Sequence, residues 1–224
     1  MQLPDDILLV DKPAGITSFD VIRRLRKELG IRKLGHAGTL DPLATGLMII
    51  GVGTGTKKLN DYLKLDKEYL ATIRLGERRS TGDLEGEVLE TRAVINPPEH
   101  ETVRTAVVGM VGTLTLPVSA YSAIKKDGVP MYKRARAAAK RGEHVKDVPV
   151  RDMQVLEAEV LQTAYDPGTK RLDIVARFHV GSGTYIRSLA EELGRRLGHP
   201  ATLALLRRTK IGEFVVEDAR DLNT

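Results

Sequence analysis

The chain has 224 residues with neither Cys nor Trp, and its 35 Lys and Arg against 30 Asp and Glu give a net charge of +5. This length accommodates one large domain or two small ones, and the absence of Cys excludes disulfides, thiolate catalysis and cysteine-ligated zinc. No stretch approaches the length of a membrane span, and the N-terminus lacks the basic start and apolar run of a signal peptide. We therefore expect a cytoplasmic protein.

The basic residues are grouped along the chain. Each group alone is typical of a solvated helix face, but several groups beside polar loop motifs favour a surface that binds phosphates. The groups are Arg23, Arg24, Arg26 and Lys27; Arg32 and Lys33; Lys57 and Lys58; Lys125 and Lys126; Lys133, Arg134 and Arg136; Lys140 and Arg141; and Arg207, Arg208 and Lys210.

The first predicted elements are a strand and a helix. Ile7 to Val10 predicts a short strand, and apolar residues from Phe19 to Leu29 recur at helical spacing. Thr17 or Ser18 can cap the start of this helix, and Gly30 ends it.

The next segment, Gly35-His-Ala-Gly-Thr-Leu-Asp-Pro-Leu-Ala-Thr-Gly46, predicts a long loop, because three glycines and a proline disfavour a helix or a central strand. Its one carboxylate is Asp41. Asp before Pro is typical of ordinary turns, so the residues alone leave a turn former and a functional carboxylate both open. The apolar run from Leu47 to Ile50 predicts a buried strand. The glycines after it match neither a dinucleotide fingerprint nor a phosphate-binding loop.

The remainder alternates strands with helices. Lys67 to Leu75 alternates as a strand does, with Tyr69 on the apolar face, where core packing alone would explain it. The other predicted elements are a short helix at Lys57–Leu63, a polar loop at Arg78–Glu85, a strand at Val88–Thr91, a helix from Asn96-Pro-Pro98 to about Val108, an extended segment at Thr113–Pro117, a loop at Ser119–Gly128, a basic helix at Met131–Arg141, a hairpin of strands at 150–163 and 171–180, a helix capped by Thr184 and ending at Leu197, and closing segments at Leu203–Ile211 and Phe214–Val216. This order of strands and helices, with hairpins among them, indicates an α+β fold that contains a mixed, mainly antiparallel sheet.

Five ordered motifs resemble those of the tRNA pseudouridine-55 synthase family, the bacterial B-type pseudouridine synthases. They are Gly35–Gly46, Val10-Asp-Lys-Pro-Ala-Gly-Ile-Thr-Ser18, Lys67-Glu-Tyr69, Tyr121-Ser-Ala-Ile-Lys125 with Gly128 and Tyr132, and Gly183-Thr-Tyr-Ile-Arg187 with Leu206-Arg-Arg208. The resemblance implies a curved sheet flanked by helices, in one catalytic domain over residues 1–224 with a possible inserted element at about 95–150. Many members carry a further C-terminal RNA-binding domain of the PUA type, for which we expect no room in this chain.

The reaction of this family breaks the N1–C1′ bond of a uridine, turns the uracil and rejoins it to the ribose through C5. Because no redox change or phosphate transfer occurs, we expect neither a cofactor nor a metal. The chemistry needs an ionised carboxylate at the junction of sugar and base, and a pocket for a base turned out of its stack. The resemblance implies that this carboxylate is Asp41. Whether Asp41 attacks C1′, attacks C6 or removes a ribose proton stays open.

The resemblance also implies supporting roles. Arg187 matches an arginine that pairs with the catalytic Asp and keeps it ionised, although an arginine on a solvated helix is the simpler interpretation without the motif. Tyr69 matches a residue that stacks on the flipped uracil. The implied substrate-binding residues are His36, which enters the RNA loop, Tyr185 and Leu206, which line the base pocket, and Lys12, which braces the catalytic loop.

Two alternatives stay open on the sequence. One is a sister enzyme that acts only with a guide RNA and protein partners, and the other is a non-catalytic RNA-binding or folding module. Pro42-Leu-Ala-Thr-Gly46 resembles the bacterial enzymes, and the set Asp41, Tyr69 and Arg187 is intact. We therefore expect a monomer that acts on the T-arm of tRNA without an obligatory protein partner. Its affinity for RNA should fall with salt, and Arg207 and Lys210 should contribute to that dependence.

Overall fold

The structure is a computed structural model in which residues 6–145 and 147–222 are described. The strands within these ranges are β1 (Ile7–Lys12), β2 (Leu34–His36), β3 (Thr45–Val52), β4 (Lys67–Leu75), β5 (Glu77–Arg79), β6 (Val88–Thr91), β7 (Gly112–Pro117), β8 (Lys125–Lys126), β9 (Val129–Pro130), β10 (Val150–Asp166), β11 (Arg171–Val180), β12 (Ala201–Ile211), β13 (Phe214–Val215) and β14 (Arg220–Asp221). The α-helices are α1 (Ser18–Leu29), α2 (Leu59–Lys64), α3 (His100–Val108), α4 (Met131–Ala139) and α5 (Ile186–Arg196), and short 3₁₀ helices lie at Gly53–Lys58 and Val216–Asp218. Among these helices, none has the length and apolar character to cross a membrane.

Ten strands form one mixed sheet in the order β14-β1-β3-β12-β4-β11-β10-β7, with β13 beside β12 and β2 beside β3. β1 and β3 are antiparallel, as are β7 and β10. β12 runs parallel to β3, with Arg207 opposite Thr45, and β14 runs parallel to β1. The sheet and its helices confirm the α+β class predicted from the sequence.

The chain divides into two compact units. The first unit takes the described residues up to Leu70, together with His179–Ser182 and the described residues from Leu205 onward. The second unit takes Ala71–Phe178 and Gly183–Ala204. The candidate site residues are distributed over both units, and each unit is described by itself.

The first unit packs α1 and the 3₁₀ segment at Val216–Asp218 with the strands around β1 and β3. Thr17 begins α1 as predicted, because its side chain accepts from the Asp20 amide while the Asp20 carboxylate accepts from the Thr17 amide. Gly30 ends the helix in the left-handed conformation, with φ of 67°. The core is formed by the inward faces of β1 and β3 with Phe214 and Val216.

The second unit contains the antiparallel pair β7 and β10, and α3 and α5 contact these strands and each other. Val103, Val107 and Leu189 are fully buried between these elements. Glu77, a completely buried carboxylate, is bound by Arg79 and Arg171, with Arg171 Nη2 at 2.7 Å from its Oε2. This unit therefore has a core and a buried ion-pair network of its own.

Three local predictions are wrong. The segment Gly35–Gly46 begins inside a strand, because β2 pairs with β3 and Gly35 lies opposite Gly51. Gly35 lies in a strand and not in a turn, and a Cβ at this position would lie 2.8 Å from a terminal methyl group of Leu59. Thr184 does not cap α5: its Oγ1 donates to the Gln154 carbonyl, and Tyr185 is the N-cap residue. The loop predicted at Arg78–Glu85 begins within strand β5, which pairs with β6.

Candidate functional site in two units

Asp41 lies on the loop of residues 37–44, between β2 and β3, and its side chain is half-buried. The Asp41 carbonyl accepts a hydrogen bond from the Ala44 amide at 3.1 Å, which closes a turn around Pro42. Leu40 and Ala44 are buried on either side of this turn. The carboxylate is therefore carried by a tight turn whose apolar neighbours anchor it in the core.

Lys12 fixes this loop from β1. Its side chain is completely buried, and its Nζ donates to the carbonyls of Pro13 at 2.9 Å, Ile16 at 2.7 Å and Pro42 at 3.3 Å. The Gly15 amide donates to the same Pro42 carbonyl at 2.8 Å. Lys12 therefore joins the turn after β1 to the residue that follows Asp41, and its full burial favours bracing over direct contact with substrate.

Ser18, the first residue of α1, fixes the residue that precedes Asp41. Its Oγ donates to the Leu40 carbonyl at 3.0 Å and accepts from the Leu40 amide at 2.8 Å. Ser18 is 2% exposed, so water does not compete for these bonds. The backbone on both sides of Asp41 is thus bound by buried polar side chains, which predetermines where the carboxylate can point.

Arg208 on β12 binds the two ends of the same loop. Its Nε donates to the Leu47 carbonyl at 2.7 Å, and its Nη2 donates to the Gly38 carbonyl at 3.3 Å. It is 1% exposed, so its prediction as part of a phosphate-binding basic surface is wrong. Because successive residues of a strand face opposite sides of the sheet, the neighbouring Arg207 is only half-buried although Arg208 is fully buried.

Gly46 permits this approach of β12 to the loop. Its φ is 107°, and a Cβ at this position would lie 2.2 Å from the Arg208 carbonyl oxygen. A side chain would therefore both strain the backbone and separate β3 from β12. The last glycine of the motif is explained by this contact.

Positive charge accumulates around the loop in the first unit. Burial lowers the pKa of His36, and the charge of Arg208 lowers it further against a backbone hydrogen bond at Gly38. Burial and then Arg208 lower the pKa of Lys67 to about 8, although Asp66 opposes the shift. Lys67 Nζ donates to the Leu63 carbonyl at 2.6 Å and to the Leu65 carbonyl. Burial and the charge of Arg208 therefore both favour the neutral form of the His36 imidazole.

Tyr69 and Leu206 lie on neighbouring strands, β4 and β12, and are 9% and 8% exposed. The Thr209 hydroxyl donates to Glu68 Oε1 at 2.7 Å and ties these strands together beside them. Among the residues that the structure describes, none forms a hydrogen bond with the Tyr69 hydroxyl. The burial of Tyr69 and Leu206 is compatible with core packing and with a base pocket, the two interpretations that the sequence alone does not separate.

Arg187 lies in the second unit, in the first turn of α5, and is 5% exposed, so the interpretation as an arginine on a solvated helix is wrong. Its Nη1 donates to the Thr81 carbonyl at 2.8 Å and to Ser119 Oγ at 2.7 Å, and its Nη2 donates to the Tyr121 carbonyl at 3.2 Å. The planar guanidinium is therefore held in one orientation by two separate loops.

Sequence reasoning missed Asp83 because it lies in a segment predicted only as a polar loop. Asp83 is 2% exposed, and its Oδ2 lies 3.9 Å from Arg187 Nε. Its Oδ1 accepts from Thr81 Oγ1 at 2.5 Å and from the Glu85 amide at 3.1 Å. No spacing or periodicity in the sequence indicates this burial, which follows from the turn that contains Gly82.

The structure thus places Asp41, His36, Lys12, Tyr69 and Leu206 in the first unit and Arg187 and Tyr185 in the second. Tyr185 is half-buried at the N-cap position of α5, two residues before Arg187. Within residues 6–145 and 147–222, no group of three or more His, Asp or Glu side chains is arranged to hold a metal ion.

Helix α4 of the second unit exposes cationic side chains. Lys133, Arg136 and Lys140 are exposed, whereas Ala135 and Ala138 face inward. The Arg136 guanidinium lies 5.6 Å from the centre of the Tyr132 ring. A helix face that combines free-standing cations with an aromatic ring is suited to a phosphate backbone and its bases.

Residues 26–186 match the family model described as TruB family pseudouridylate synthase, N terminal domain. The chain is 44% identical over 213 residues to tRNA pseudouridine synthase B of Corynebacterium efficiens, an alignment that covers 95% of this chain and 69% of the relative. It is 42% identical over 226 residues to the protein of the same name from Thermobifida fusca, covering 99% of this chain and 74% of the relative.

Solved structures show the same fold. An H/ACA RNP bound to a substrate RNA containing 2′-deoxyuridine matches 97% of this chain and 51% of its own chain, with a TM-score of 0.68 and 25% identity. A Cbf5-Nop10-Gar1 complex matches 97% of this chain and 52% of its own, with a TM-score of 0.68 and 24% identity. The chain therefore spans about half of these structural neighbours.

Proposed function

The chain belongs to the TruB family of pseudouridylate synthases, and from this premise we propose that it converts a uridine of tRNA, at position 55 in the T-loop, to pseudouridine. The observation that carries the proposal is the loop of Asp41. A half-buried carboxylate lies on a turn whose backbone is bound at Leu40, Pro42 and Gly38 by the buried side chains of Ser18, Lys12 and Arg208. Such fixation is what a catalyst needs to hold one group in a reactive position.

The proposed reaction is an isomerisation. The N1–C1′ bond breaks, the uracil turns within the pocket, C5 bonds to C1′, and the proton on C5 is lost while N1 gains one. Asp41 is proposed to act as nucleophile or base at the junction of ribose and uracil, because a carboxylate stabilises an electron-poor sugar carbon as it does in glycoside hydrolysis. The reacting atoms and protons balance without a co-substrate.

The other predicted residues are given roles that their surroundings support. Tyr69 is proposed to stack on the flipped uracil, since its ring is mostly buried and its hydroxyl has no partner among the described residues. Arg187 is proposed to supply a fixed positive charge to the reaction, since three hydrogen bonds orient its guanidinium. His36, Tyr185 and Leu206 are proposed to contact the displaced nucleotide. Lys12 is proposed to act on substrate only through the loop it braces.

We propose the T-arm as the part of tRNA that is recognised, with loop shape and phosphates read more than base edges. The exposed cations of α4 support a contact with phosphates. That residues 1–224 form one catalytic domain, working as a monomer in the cytoplasm without an obligatory protein partner, stays a prediction.

The alternative of a guide-dependent enzyme has some support in the fold shared with the H/ACA RNP. Identity favours the stand-alone enzyme, because it is 40 to 44% against relatives named tRNA pseudouridine synthase B and 25% against that RNP chain.

The test is to incubate the protein alone with an unmodified tRNA transcript and to map pseudouridine by chemical sequencing. We expect modification at position 55 of the transcript and of an isolated T-arm hairpin. Modification that required guide RNA and protein partners would favour the alternative enzyme. If full tRNA is modified but the isolated hairpin is not, only the proposal that the T-arm suffices for recognition is wrong.

A further inference from the structure

Arg208 has no established place in the reaction, and its surroundings are unusual for an arginine. It is one of the largest fully buried side chains, and the described residues place no carboxylate within ion-pair distance of it. Burying a guanidinium without a counter-charge is unfavourable, so an apolar side chain of similar length would be expected there if packing were its only role.

The contacts of Arg208 converge on the segment that contains Asp41. Its side chain binds the carbonyls of Gly38 and Leu47, three residues before Asp41 and six after it. Its backbone lies opposite Gly46, where a Cβ would meet the Arg208 carbonyl oxygen at 2.2 Å. One residue of β12 therefore fixes both ends of the loop.

We propose that Arg208 is a positioning residue for pseudouridine formation, which acts by holding the ends of the 38–47 segment so that the Asp41 carboxylate meets the substrate in one orientation. The proposal rests on the proposed function, because it takes Asp41 to be catalytic. It adds to that function a residue that does not touch the substrate, since a side chain this buried cannot reach it.

The charge of Arg208 also acts on its neighbours. His36 and Lys67 both have a lowered pKa for which Arg208 is the second cause after burial. Its removal should therefore raise the pKa of His36, one of only five histidines in the chain. This change can be followed by NMR of the imidazole protons, and it reports on the electrostatics of the loop without any measurement of activity.

The experiment compares Arg208→Met, which takes the place of the apolar stem but loses the charged guanidinium, with Arg208→Lys, which keeps the charge and loses the fork. The matched control is Arg171→Met in the second unit, where the lost arginine binds the buried Glu77. Both methionine variants should lower the urea midpoint, so rate constants are compared per folded protein at a temperature where each variant is folded.

In single-turnover assays with saturating tRNA we expect Arg208→Met to lose on the order of 100-fold in rate, the scale of a displaced catalytic group. Its Kd for tRNA should change by less than about 3-fold, because phosphate contacts carry affinity. Arg208→Lys should recover part of the rate, and Arg171→Met should keep nearly all of it. The His36 pKa should rise only in Arg208→Met.

A wild-type rate per folded Arg208→Met protein, or a loss that appears only in Kd, would overturn the proposal. If Arg208→Met is unfolded under all conditions, Arg208→Lys decides: a wild-type rate in that variant, with only one carbonyl in reach of the amine, is also contrary to it. Asp41→Ala is assayed beside these variants. Activity in Asp41→Ala would mean that the proposed function fails, whereas an inactive Asp41→Ala with a fully active Arg208→Met would mean that only this inference fails.

Discussion

The two units each contain a buried cation that binds backbone carbonyls, but the arrangement differs. In the first unit the cations are Lys12 and Arg208, and they hold a loop that carries a different residue, Asp41, which is proposed to react. In the second unit Arg187 itself binds the loops at Thr81 and Tyr121, and the same residue is proposed to supply positive charge to the reaction. Mutation of Asp41 should therefore change the chemistry without changing stability, whereas mutation of Arg187 should change both together.

The largest effect should come from Asp41, whose replacement should lower the reaction rate without lowering stability. Asp41→Ala should lower the single-turnover rate by roughly 1000-fold or more, the scale seen when a covalent catalyst is removed. Folding should survive, because the side chain is half-buried on a turn that backbone bonds maintain. Filter binding should show nearly unchanged affinity for tRNA. Asp41→Asn is tested beside it, since it keeps the shape. Near-normal turnover of the folded alanine variant would disprove the catalytic assignment.

Arg187 should show the opposite behaviour, with rate and stability falling together. Arg187→Lys loses the planar fork that reaches three acceptors, so we expect the rate to fall by about 100-fold, as when one preorganised electrostatic group is removed. The urea midpoint should fall in the same variant. The comparison is Ser119→Ala, which removes one acceptor of Arg187 and the Ser119 bonds to the Thr81 carbonyl and the Tyr121 amide, and which should cost less rate and stability than Arg187→Lys. Loss of rate at full stability would show that the two functions of Arg187 can be separated after all.

Lys12 should lower stability when it is replaced, and it should change the rate only through the loop that it braces. Lys12→Met leaves three carbonyls without their shared donor, and we expect a loss of about 2 kcal/mol in the free energy of unfolding. Urea denaturation measures it, with Lys140→Met on the exposed face of α4 as the neutral control. If Lys12→Met is as stable as the wild type but binds tRNA poorly, Lys12 contacts the substrate directly and the bracing role is wrong.

Lys67 should make the first unit sensitive to alkaline pH. Its pKa in the folded protein, about 8, is below the usual value of 10.5 for lysine, so between these two pH values the unfolded state binds more protons than the folded state. Stability from Lys67 therefore rises as pH increases through 8 toward 10.5. The stability difference between Lys67→Met and the wild type should consequently shift by about 2 kcal/mol in favour of the wild type between roughly pH 7.5 and 9.5. Urea titrations at both pH values measure it, and an unchanged difference would contradict the lowered pKa.

The smallest effect is expected at Arg207 and Lys210. The sequence predicts that both contribute to phosphate binding, but Arg207 donates to both Asp11 oxygens and Lys210 lies 3.8 Å from Glu68. Because each is already paired with a carboxylate, neither should displace a full counterion from RNA. Replacing both by Ala should therefore reduce the salt dependence of tRNA binding by less than the loss of two phosphate contacts would. Lys133→Ala with Lys140→Ala on α4 is the comparison, and it should flatten the slope more. Equal slopes for the two double variants would contradict this ranking.

Local patterns predicted most of the fold. The alternation of Lys67 to Leu75 is reproduced residue by residue as alternating burial, and Thr17 and Gly30 bound α1 as their capping chemistry dictates. Prediction failed at Thr184, because the sequence does not show that its hydroxyl donates to Gln154, thirty residues away. The same limit applies to the site. The motif predicts a role for Asp41, but nothing near Arg208 in the chain distinguishes it from the paired, half-buried Arg207 beside it.

The bonds of Arg208 have a consequence for the order in which the enzyme becomes active. Leu47 and Gly38 precede Arg208 by 161 and 170 residues, so the loop of Asp41 gains these bonds only after a strand made much later in the chain has left the ribosome. Contacts of such sequence separation form late, because a long chain must close before they are gained. A nascent chain that already contains every residue up to β11 would still carry Asp41 on a loop whose two ends lack the bonds from Arg208. Catalytic competence should thus be delayed, together with any action on RNA, until translation has passed β12.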